Sequence, residues 1–116
     1  MVNSNQMLRN GVSEEGFKEL IAQGFAAEVI CAVEPEKTAN NWNGAWHFRA
    51  VAPDGSMERV LVSQRVLDRP RSVRSVVAVV TMLHDLGVRT ITIPFTEGGR
   101  ARNVRPGHNG STTLDA

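Results

Sequence analysis

A chain of 116 residues fits one domain and is long enough to bury one core without disulfides. Hydrophobic residues at 41% and charged residues at 22% exclude disorder by composition; a single cysteine, Cys31, excludes an intramolecular disulfide, and three scattered histidines supply no spaced zinc set. The formal net charge of +1 hides an asymmetry, because residues 1–48 hold three basic against six acidic side chains while residues 49–105 hold ten arginines against five acids.

Residues 1–12 carry no apolar period and read as a flexible lead-in. Ser13 is then placed to cap a short helix whose first turn holds Glu14 and Glu15, whose core stripe is Phe17, Leu20 and Ile21, and which Gly24 ends. Phe25 to Val33 admits either a strand or a continuation of that helix. Glu34 to Gly44 reads as a loop, since Pro35 and the Asn/Gly cluster oppose helix and ladder alike. From Trp46 the period changes to two, with Trp46, Phe48 and Ala50 on one side and His47 and Arg49 on the other. Pro53 to Ser56 supplies turn chemistry, and Met57 to Val62 returns as the second strand of a hairpin.

Asp68 to Ser72 breaks the chain at Pro70, and Ser72 is placed to cap a second helix from Val73, its buried stripe Val73, Val76, Val77, Val80 and Leu83. Gly87 ends that helix, and Val88 to Phe95 alternates again as a strand with Ile91, Ile93 and Phe95 on one side, an edge that invites pairing with a second copy in a homodimer. From Thr96 onward glycine and arginine dominate, which predicts a disordered basic tail over 96–116. The expected fold is α+β: a small antiparallel sheet of three to four strands covered by the valine-rich helix, with a short N-terminal helix, all within residues 13–95.

No constellation argues for an enzyme. Cys31 lies in an apolar run and reads as a buried, inert thiol. His84 and Asp85 are adjacent on a helix and do not form a catalytic pair, and His47 reads as a surface residue of a strand. There is no nucleophile elbow, Walker loop or paired-carboxylate spacing, so no cofactor or metal is expected. No apolar run approaches the roughly 18 residues of a membrane-spanning helix. The first residues lack a secretory pattern, which makes the cytoplasm the expected compartment.

What remains is arginine, which makes up eleven of the thirteen basic residues and whose planar fork suits phosphate and carboxylate. Arg65, Arg69, Arg71 and Arg74 lead into the second helix, where free amides are expected. Arg49 faces outward from its strand, and Arg100, Arg102 and Arg105 lie in the tail. Together these eight are the candidate nucleic-acid-binding residues. The other reading of the same residues is a solvated loop and tail that keep the chain in solution. Trp42 either stacks a base or closes one end of the core.

The stretch Arg59 to Phe95, with its Pro-Arg-Ser helix entry and Leu-Gly-Val exit, followed by the basic Gly98 to Pro106, resembles ParC-type partition-associated proteins of plasmids and integrative elements. The resemblance implies a mobile-element setting and no active site. The expected function is therefore a non-enzymatic accessory protein that binds DNA or RNA through the arginine segment and tail. The alternative is an interaction module or inhibitor acting on a plasmid or host protein. Convergence of Arg49, Arg65, Arg69, Arg71 and Arg74 on one face favours nucleic acid; scatter, or pairing with glutamate, counts against it.

Overall fold

Local chemistry sets the first helix. The Ser13 hydroxyl accepts from the Gly16 amide at 3.1 Å, and α1 runs Glu14–Ala22 with Phe17 and Ile21 buried. The structure is a computed structural model and describes residues 8–106; residues 1–7 of the expected lead-in and 107–116 of the expected tail lie outside the described residues. The rest of the lead-in is not free. The Leu8 amide donates to the Leu67 carbonyl at 2.9 Å, and β1 (Gly11–Val12) pairs in parallel with Val60 and Leu61.

After α1 the chain enters β2 (Ala26–Thr38), so the ambiguous segment is a strand, and the loop expected at Glu34–Gly44 is instead the far end of a long hairpin with β3 (Asn41–Val51). The ladder tolerates Pro35 because the register slips there, once between Cys31 and Val33 and again between Val33 and Glu36. Gly44 belongs to the same irregularity: a Cβ on it would lie 2.6 Å from the Val33 carbonyl oxygen, closer than any side chain permits. Further along, the period of two holds as expected. Trp46, Phe48 and Ala50 are fully buried opposite Cys31, Val29 and Ala27.

The Pro53–Ser56 turn also forms as its residues dictate, with the Asp54 carboxylate accepting from the Ser56 amide at 2.9 Å. It delivers β4 (Glu58–Leu61) antiparallel to β3, with Leu61 as the core residue. The chain then leaves the β3 edge and comes back to it. Val62 bridges Pro70, the Arg71 amide donates to the Leu61 carbonyl at 2.9 Å, and β5 (Val73–Ser75) resumes pairing along β3.

The second helix therefore starts later than Ser72 and Val73 indicate. Ser75 is the cap, its hydroxyl accepting from the Ala78 amide at 3.1 Å, and α2 spans Val76–Asp85. Its buried residues are Val79 and Leu83, whereas Val77, expected inside, is 64% exposed, and Val80 is exposed as well. Valines on both faces made the stripe ambiguous, and the true start fixes which one is buried. Ser75→Ala is expected to cost about 1 kcal/mol in urea unfolding, and Ser72→Ala no more than about 0.5 kcal/mol. Equal losses would refute this cap assignment.

Val88 to Phe95 keeps its sidedness, with Ile91 and Ile93 packed against the core, but it is not a strand of the sheet. Pro94 lacks an amide donor, and the β2 edge is taken by β6 (Arg100–Asn103), which pairs Asn103 with Ala27 and Arg100 with Ile30. Side chains hold the segment instead. Asn103 accepts from the Thr92 amide at 2.7 Å and donates to its carbonyl at 3.0 Å, while the Trp46 indole donates to the Pro94 carbonyl at 2.8 Å. The expected tail is thus corrected as far as Pro106, and the edge strand once assigned to Val88–Ile93 is β6. Gly98, at φ +84°, makes the turn into it while its amide donates to the Cys31 carbonyl at 2.8 Å.

The fold is α+β, with a mixed sheet ordered β1-β4-β3-β2-β6 and β5 alongside β4 on the β3 edge. It is larger than the expected three to four strands, and β1 adds a parallel pair. Phe17 and Ile21 of α1 and Val79 and Leu83 of α2 pack with Ala27, Val29, Trp46, Phe48 and Leu61 in one core cluster, so both helices cover the same face of the sheet. Among the described residues the opposite face has no second layer.

Candidate functional site

The excursion between β4 and β5, together with β5 itself, carries the local arginine group. Arg65, Arg69, Arg71 and Arg74 border one open hollow of about 600 Å³. Its tip is organised by Ser63, whose hydroxyl accepts from the amides of Arg65 and Val66, and by the Arg69 amide donating to the Val66 carbonyl. Arg71 is partly spent. One of its Nη atoms lies 2.9 Å from Glu14 Oε1, an oxygen that also accepts from Gln64 at 3.0 Å. Arg65, Arg69 and Arg74 meet no carboxylate within salt-bridge range among the described residues. The free amides expected at Val73 are absent from this place, because Val73 lies in β5 and Ser75 caps the helix beyond it.

The other arginines are elsewhere. On the uncovered face, Arg49 donates to Glu28 Oε1 from Nη2 at 2.6 Å and from Nε at 3.1 Å, and its Nη1 lies 2.7 Å from Glu58. Arg100 and Arg102, projecting from β6, reach the same Glu28 at 3.5 and 3.4 Å. The Glu28 side chain is 6% exposed. Burial by itself would raise its carboxyl, but the Arg49 hydrogen bonds and charge, with Arg102 and Arg100 behind them, hold it below its ordinary range. Arg105 lies on neither group: its side chain crosses Gly87 at the end of α2, next to Lys18 and Asp85.

The eight candidate arginines therefore divide into an open loop group, a paired sheet-face group and one residue apart. Glu28 is the residue that sequence reading missed. A lone acid inside the apolar run Phe25–Val33 was the available signal, since an unpaired carboxylate is almost never buried. Asn103 gave no such signal.

Cys31, His47 and Trp42 lie outside the open loop group. Cys31 is buried, and burial, with Glu34 and Glu97 nearby, pushes its thiol up. His47 is half-buried on the uncovered face, and burial lowers its pKa. Trp42 packs on Phe95 with ring centroids 5.4 Å apart and Phe95 on Trp46 at 6.2 Å, which closes one end of the core while leaving both outer rings exposed. No helix among the described residues is long and apolar enough to cross a membrane. No protein-family model, curated protein or solved structure matches the chain.

Proposed function

We propose that the chain is a non-enzymatic accessory protein that binds nucleic acid through the Arg65–Arg74 loop. The observation that supports this reading is the loop with the strand that follows it: Arg65, Arg69 and Arg74, which meet no carboxylate among the described residues, border one hollow on a backbone pinned to the sheet at both ends. The exposed guanidinium groups of Arg65, Arg69 and Arg74 suit phosphate, because their planar forks of donors face solvent and are not committed to a carboxylate among the described residues. The resemblance of Arg59–Pro106 to ParC-type proteins supplies the proposed setting, a plasmid or integrative element in the cytoplasm.

Fluorescence anisotropy with labelled single- and double-stranded DNA and RNA at two salt concentrations tests it. Wild-type protein is expected to bind at micromolar or tighter concentrations with little sequence preference. Changing Arg65, Arg69 and Arg74 to alanine is expected to weaken binding and to make the slope of log K on log salt shallower by roughly two to three. No binding at low salt rejects the reading.

A second reading, a protein partner, draws on the exposed Trp42–Phe95 pair. It predicts a partner that is lost on Trp42→Ala and retained by the arginine variant.

A further inference from the structure

We infer that the uncovered face of the sheet is a second phosphate-binding site, in which Arg100 and Arg102, side by side on β6, engage a phosphodiester. The inference rests on the nucleic-acid reading above and extends it from the loop to the sheet.

Charge and geometry carry it. Three guanidinium groups gather on this face around two carboxylates, Glu28 and Glu58, which leaves one positive charge in excess. Arg49 takes the short contacts, at 2.6 Å to Glu28 and 2.7 Å to Glu58, and so both acids are largely committed to it. Arg100 and Arg102 are left with single loose contacts at 3.5 and 3.4 Å, and their side chains are 52% and 56% exposed. A guanidinium offers about five donors, so most of those on the two outer arginines are open to solvent.

Their spacing is set by the strand. Arg100 and Arg102 are two residues apart on β6, which puts both on one face with backbones roughly 6.6–6.8 Å apart. Glu28 lies directly across the ladder from Arg102 and, on its other side, from Arg49. It therefore sits beside both outer arginines, in loose contact with each, and leaves most of their donors free. The same face also receives Arg74: Val73 is buried opposite Trp46 on the helix side, and the pleat turns the next residue the other way.

Nothing on this face enters a groove. Among the described residues it has no helix, so it would contact the backbone and not the bases. The shared ligand chemistry is a phosphodiester chain, from a single strand or a duplex.

The test compares four proteins by anisotropy titration over a salt series, using a labelled single strand and the matching duplex: wild type, Arg100→Ala/Arg102→Ala, Arg100→Lys/Arg102→Lys, and Arg65→Ala/Arg69→Ala. The alanine pair at 100 and 102 is expected to bind on the order of tenfold more weakly, with a salt slope shallower by about 1.4 on a single strand or about 1.8 on a duplex. The lysine pair keeps the charge and is expected to retain most of the slope, which guards against a folding defect. If wild type binds and the loop variant loses affinity while the 100/102 alanine pair is unchanged, the sheet site is overturned and the loop reading stands. If the lysine pair loses affinity as fully as the alanine pair with an unchanged slope, the arginines are structural and the inference fails. Absence of wild-type binding overturns both.

Discussion

Trp46→Ala is expected to lower the unfolding free energy by about 3–5 kcal/mol, a large share of the roughly 5–15 kcal/mol typical of a domain. Trp46 is fully buried at the centre of β3, touches the core on the helix side, and donates from its indole to the Pro94 carbonyl at 2.8 Å. Its removal opens a cavity and also releases one of the side-chain bonds that hold Val88–Phe95 in place without a ladder. Trp46→Phe separates the two effects. It keeps most of the volume but loses the bond, and about 1–2 kcal/mol is expected from the orphaned carbonyl and the smaller ring. Urea unfolding of both variants checks this, and a loss below about 1 kcal/mol for the alanine would show that the site collapses onto the gap.

The second large effect is at Glu28. Removing one member of a buried ion pair typically costs about 3–5 kcal/mol, because the partner charge is left uncompensated. Here Glu28→Ala is expected near the lower end, about 3 kcal/mol, since Arg100 and Arg102 can turn to water and Arg49 retains Glu58. The same carboxylate predicts a pH dependence. Its folded pKa lies below its ordinary value of 4.5, so its contribution is complete above about pH 4.5 and is lost as pH falls through the folded value. Wild type is therefore expected to lose stability below that pH more steeply than Glu28→Gln. Parallel curves for the two proteins between pH 3 and 6 would contradict the assignment.

Features written over three or four neighbouring residues were legible in the sequence. Ser13 caps α1 and Asp54 closes its turn because each needs only the next few amides, and the alternation at Trp46–Ala50 needs only a sheet to lie on. The arginine loop was legible for the same reason. Elsewhere the deciding partner is remote. Arg100–Asn103 looks like a basic tail until it meets Ala27–Ile30, and only that pairing shows that Arg100 and Arg102 belong with Glu28 and Arg49. Pro35 argued for a loop over Glu34–Gly44, yet the register slips in β2 accommodate the proline inside a strand. The start of α2 was misplaced because Ser72 and Ser75 are equal as caps in composition, and the pairing of Val73 with Trp46 decides between them.

The path between β4 and β5 has a bearing on how this protein can change. Both strands run along one edge of β3, and the Val62–Pro70 bridge with the Arg71–Leu61 bond closes the neck between them. Everything from Ser63 to Arg69 hangs from that neck, outside the core cluster. The bonds that tie the loop to Leu8 and Glu14 run through Leu67 and Gln64 and not through the exposed side chains of Arg65 and Arg69, so selection can rewrite what those two positions recognise while the sheet beneath stays the same.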